Sequence, residues 1–124
     1  MNCNCNNTKN YLIQITAGTT FSATVVFDED ISDYTSALFT IRANYDVEPV
    51  INKTFEITDE TSININLTKA ETALFTDFEE GKSRATYIWG LDLADDNGVQ
   101  INVFPQTGNT APTCFVWKHV VETD

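Results

Sequence analysis

Every apolar run in this chain is short and favours every other position. In FSATVVF, residues 21 to 27, Phe21, Ala23, Val25 and Phe27 fall on one side, and Ser22 and Thr24 on the other. In SININL, residues 62 to 67, Ile63, Ile65 and Leu67 alternate with Asn64 and Asn66. A period of two belongs to an extended chain, whose successive side chains point to opposite faces, so each such run predicts a strand with one face in a core. YLIQIT (11–16), ALFTIRANY (37–45), VINKTFEI (50–57), SRATYIWGLDL (83–93), VQINVF (99–104) and CFVWKHVV (114–121) read as strands too. AGTT, between the first two strands, reads as a turn, and DEDISDYTS, before ALFTIRANY, as a polar loop. The one helix signal is Thr68-x-x-Glu71, the capping-box spacing, which with Gly81 as terminator predicts a helix of about two or three turns. No long helical pattern lies between strands to cover a parallel sheet. The expected fold is all-β, an antiparallel immunoglobulin-like β-sandwich of about eight strands with one short helix.

At 124 residues and 42% apolar, the chain has enough material for one core without metals or disulfides. A single domain over residues 10–124 is expected, preceded by a flexible polar arm, residues 1–9. That start has neither a basic nor an apolar region, so no signal peptide is read there, and no apolar run approaches the roughly 18 residues of a membrane span. The expected site of synthesis and folding is a cytosol. Eighteen acidic side chains against seven basic ones give a net charge of −11. This sign opposes binding to a phosphate backbone or to anionic lipid, so neither nucleic acid nor membrane is expected as a partner. The acidic residues are spread over several loops, as solvated loops are, rather than arrayed as in a nucleic-acid mimic.

Little in the sequence points to catalysis, a cofactor or a metal, and none is expected. Cys3, Cys5, Cys114 and His119 have the residue types of a zinc site, but two residues five apart on one strand point to opposite faces. The sole histidine, His119, falls in a predicted strand with no nucleophile elbow in the chain, and no phosphate-binding loop is present. The acidic stretch GLDLADDNGVQIN, residues 90 to 102, invites comparison with a calcium loop. With Gly98 at the sixth position of an EF-hand-type loop, the first falls on Leu93 and the twelfth on Phe104, so two demanding ligands are missing.

Hairpin geometry accounts for that stretch better. A three-residue connection of Asp96, Asn97 and a left-handed Gly98 pairs Asp95 with Val99, Leu93 with Ile101 and Leu91 with Val103, so apolar meets apolar. The aromatic residues supply the binding signal. Tyr87 and Trp89 alternate on one predicted strand, and Phe115 and Trp117 on another. Exposed, these four would form a ladder able to stack on sugar rings or anchor a protein partner; buried, they would fill the core.

Taken in order, AGTTFSATVVF, DISDYTSALFTIRANYD, PVINKTFEI, INLTKAETALF and TYIWGLDLADDNGVQINVF resemble the N-terminal β-sandwich domain of phage baseplate upper proteins and related tail and virion modules. The resemblance covers roughly residues 10 to 121 and is one of rhythm, without a diagnostic cluster. It implies a non-enzymatic phage or prophage virion structural module, a baseplate or tail adaptor or a decoration protein. Its implied partners are other virion subunits and further copies of itself, and its implied location is the virion, or the bacterial cytoplasm before assembly. The alternative expectation is a carbohydrate-binding β-sandwich module using the aromatic ladder.

Overall fold

The computed structural model describes residues 12–105 and 108–121. The arm expected over residues 1–9 lies outside the described residues. Eight strands form: β1 (Ile13–Thr16), β2 (Phe21–Val26), β3 (Ser36–Arg42), β4 (Ile51–Glu56), β5 (Ser62–Leu67), β6 (Arg84–Ala94), β7 (Gln100–Phe104) and β8 (Thr113–Trp117), with one helix, α1 (Lys69–Thr72), after β5. The larger sheet runs β1-β8-β6-β3-β4, with β7 also on β6, and the smaller one is β2-β5. Together they form a curled, immunoglobulin-like β-sandwich.

Strand alternation builds the core. From the larger sheet Ala37, Phe39 and Ile41 of β3, Tyr87, Trp89, Leu91 and Leu93 of β6, and Cys114 and Val116 of β8 are buried; from the smaller one come Val25 of β2 and Ile63, Ile65 and Leu67 of β5. The rings pack on tilted and edge-on faces, Trp89 at 5.0 Å from Phe104 and 5.9 Å from Phe39, and Phe75 at 5.0 Å from Tyr87. Phe27 and Ile31 add apolar plugs at the start of the loop between β2 and β3. Ile31 lies inside the segment whose composition reads as a polar loop, and its N–H donates to the Glu60 carbonyl at 2.7 Å.

Three expectations need correction. The pairing is not wholly antiparallel, because β1 runs parallel to β8, with Ile13 beside Cys114 and Thr16 beside Trp117. These strands come from the two ends of the chain, so no short turn forces them to run in opposite directions. The helix has four residues rather than two or three turns. Its capping box is present, with Thr68 accepting from the Glu71 N–H and Glu71 accepting from the Thr68 N–H, but past Thr72 the backbone tightens, the Leu74 and Phe75 N–H groups donating to the Glu71 and Thr72 carbonyls three residues back. Phe75 and Phe78 still pack on the core, but Ala73 and Leu74 are exposed, so packing holds single side chains rather than a helical stripe running on toward Gly81.

The third correction concerns the hairpin between β6 and β7. Leu93 pairs with Ile101 and Asp92 with Asn102, as the turn predicts, but Leu91 pairs with Phe104 rather than Val103, across a break in register. A bulge lets two consecutive residues on one strand oppose one on its partner. That explains why Val103 and Phe104 are both buried, at 1% and 2% exposure, where a regular strand would turn one of them outward. Gly90 allows the close approach, since a Cβ there would stand 3.1 Å from the Phe104 carbonyl oxygen. The turn has the expected form: Gly98 has φ +84°, and the Asp95 N–H donates to the Val99 carbonyl at 3.0 Å.

Lys53 holds the sandwich together at its β4 side. Its ammonium group donates to the Asn66 carbonyl of β5 and pairs with the Glu71 carboxylate of α1, each at 2.8 Å. The bond from Lys53, followed by that from the Thr68 N–H, holds the Glu71 carboxyl below its ordinary value. Thr72, fully buried, donates from its hydroxyl to the Thr19 carbonyl at 2.6 Å and so fixes α1 to the turn between β1 and β2.

Candidate functional site

Because Phe39, Ile41, Trp89 and Leu91 face the core, their neighbours Leu38, Thr40, Ile88, Gly90 and Asp92 face the outer side of the larger sheet. Register then brings these side chains together. Thr40 lies beside Gly90 and Asn52, and Leu38 beside Asp92, which has Asn102 on its other flank. Gly90 has no side chain to fill its place, and a cleft of about 360 Å³ opens there. Leu38, Ile88 and Gly90 line it with apolar surface, and Thr40, Asn52, Asp92, Gln100 and Asn102 with polar groups.

The polar lining is ordered by its own hydrogen bonds. One Asp92 oxygen accepts from the Gln100 amide at 2.6 Å and the other from the Asn102 amide at 2.8 Å. Thr40 donates to the Asn52 amide oxygen at 3.1 Å. At another part of the lining, Tyr45 reaches from the loop between β3 and β4, and its hydroxyl accepts from the Ala111 N–H at 2.7 Å. The same loop is held by Arg42, whose guanidinium donates to the carbonyls of Tyr45 and Val47.

The four aromatic residues singled out from the sequence are divided between two faces. Tyr87 and Trp89 are core residues, at 4% and 3% exposure, whereas Phe115 and Trp117 are half-buried. The pairing explains the split. Tyr87 stands opposite Cys114, so the two share the inner face, and Phe115 and Trp117 go outward beside Thr86 and Arg84. The Arg84 guanidinium carbon lies 3.9 Å from the Phe115 ring centroid and 5.4 Å from that of Trp117, in cation–π range of both. The Trp117 indole N–H donates to the Gln14 side chain at 3.0 Å.

Of the residues considered for a metal, the two that the structure describes do not converge. Cys114 is wholly enclosed in the core, where burial pushes its thiol up to about 12, while His119 lies past the end of β8, near Gly18. Cys3 and Cys5 lie outside the described residues. Two aspartates of the β6–β7 hairpin are used within it, Asp92 by the Gln100 and Asn102 amides and Asp95 by the backbone N–H groups of Asn97 and Val99, each at 2.9 Å. Among the described residues, no group of three His, Cys, Asp or Glu side chains is placed to hold a metal ion.

Sequence reasoning did not find the cleft. Its one local signal is Gly90, a glycine in mid-strand, which marks a bulge or a close approach of backbone or ligand. Comparison with known proteins returns no match, whether to family models, curated proteins or solved structures.

Proposed function

We propose that this chain is a non-enzymatic structural module of a phage or prophage virion, a baseplate or tail adaptor or a decoration protein, working through contacts with other virion subunits and with its own copies. In this reading it is made in the bacterial cytoplasm and ends in the virion. The observation that supports contact-making is the outer-face cluster of Phe115, Trp117 and Arg84, because tryptophan and arginine are the residue types most enriched among the anchors of protein interfaces. The stacked guanidinium and the bond to Gln14 hold these side chains in place, which lowers the entropy cost of docking on them. The resemblance in sequence rhythm supplies the phage context.

Multi-angle light scattering over a range of concentrations tests the reading. The expected result is a closed oligomer that forms as concentration rises and is lost in an Arg84→Glu variant with an unchanged melting temperature. A wild-type chain that stays monomeric throughout and fails to associate with candidate tail or baseplate subunits would refute it.

A further inference from the structure

The cleft over Gly90 is separate from the aromatic–arginine patch, and its chemistry calls for a different kind of ligand. We infer that it is a binding site for a neutral saccharide. Its volume, about 360 Å³, lies within the usual range for small-ligand sites. Leu38, Ile88 and the bare backbone of Gly90 offer an apolar surface to the C–H face of a sugar ring, and Tyr45, 54% exposed, offers an aromatic one.

The polar lining matches hydroxyl groups, which both donate and accept. Asp92 receives one N–H on each oxygen and keeps further acceptor sites, since a carboxylate has about four. The Gln100 and Asn102 amides donate to it and so leave their carbonyl oxygens as acceptors, while Asn52, which accepts from Thr40, keeps its NH₂ donors. These groups hold one another in position, so a ligand would meet a prearranged set.

Charge selects within the class. Asp92 is the one carboxylate and Arg42 the one cation among the described lining residues, so the cleft brings no net charge of its own to a chain that carries −11 overall. A phosphate or an acidic sugar would find no net positive charge there to offset the repulsion of the chain as a whole, whereas a neutral sugar needs none. A metal cation would find a single carboxylate whose two oxygens already accept amide N–H groups, far short of the six to eight oxygens calcium takes.

Two-dimensional amide NMR on the full chain tests the inference. Titration with a panel of neutral disaccharides and trisaccharides (gluco-, galacto-, manno- and N-acetylglucosamine-based) should shift the Gly90 backbone and the Asn52, Gln100 and Asn102 side-chain amides. A glucuronate-containing disaccharide should leave them unmoved. Asp92→Asn and Asn52→Ala should each weaken binding by about tenfold, equivalent to one hydrogen bond to a charged or well-placed group. Asn52 is an exposed position, so its variant keeps the test valid if Asp92→Asn disturbs the hairpin. The inference is overturned if no neutral saccharide shifts these signals, if the shifts fall on Phe115 and Trp117, or if both variants bind like wild type. It is also overturned if only an extended peptide moves the cleft signals.

Discussion

Gly98 is where backbone conformation can be separated from space. Its φ of +84° lies in the left-handed region, yet a Cβ added there would find no atom within 4 Å. Replacing it with valine therefore sets the new Cβ in open space at an exposed position, and the loss of stability is assigned to the backbone. Forcing an L-residue into this region costs roughly 1–2 kcal/mol, toward the upper end for a β-branched side chain. The stiffer unfolded chain offsets about 0.4–1 kcal/mol. The expected net loss for Gly98→Val is about 1 kcal/mol, a fall of about 4 °C in melting temperature for a domain of this size. Asparagine meets a smaller cost in the same region, which the same unfolded-state term roughly cancels, so Gly98→Asn should melt within about 1 °C of wild type. Urea denaturation should move the midpoint for valine without changing the slope. Equal losses for valine and asparagine, or no loss for valine, would refute the assignment of a conformational cost to this turn.

The other predictions concern Glu71, Cys114 and the tryptophans. The folded-state pKa of Glu71 is lowered, so its contribution to stability is complete above the ordinary value of 4.5 and is lost as pH falls through the lowered one. Glu71→Gln, whose amide oxygen can still close the capping box, should cost up to about 1 kcal/mol at pH 7 through loss of the charge paired with Lys53, and the difference from wild type should shrink in acid melts. In a Cys3→Ser, Cys5→Ser background, iodoacetamide at pH 8 should label Cys114 only after denaturant is added, because the thiol is enclosed and its pKa is raised to about 12. Trp117→Phe should leave blue-shifted emission from Trp89 that acrylamide barely quenches, whereas the wild type should show a second, more quenchable component.

The sequence made the hairpin and most strand faces legible because their causes are local. Asp96, Asn97 and Gly98 specify the turn, and Leu93 and Ile101 confirm its register. The bulge that follows is less local. Val103 and Phe104 are two adjacent apolar residues, and only the approach of Gly90 to the Phe104 carbonyl allows both to turn inward. The parallel meeting of β1 with β8 has no local signal, because it joins segments about a hundred residues apart. Alternation showed that Phe115 and Trp117 share a face but not which face it was; the pairing of Tyr87 with Cys114 decided that. The cleft was hidden for the same reason. Its polar residues are visible one by one as the outward positions of four strands, but their assembly depends on how β3, β4, β6 and β7 slide past one another.

One edge of β6 is shared, with β7 paired along its C-terminal part and β8 along its N-terminal part. Between them the chain leaves the sheet after Phe104 and rejoins it at Thr113. Pro105 and Ala111, which lie on that excursion, line the cleft, whereas the pairings on either side hold the sandwich. The excursion thus borders the cleft at two described positions, while most of the lining stands on the ladders themselves. Substitutions at Pro105 or Ala111 can therefore reshape one wall of the cleft without moving the ladders on either side.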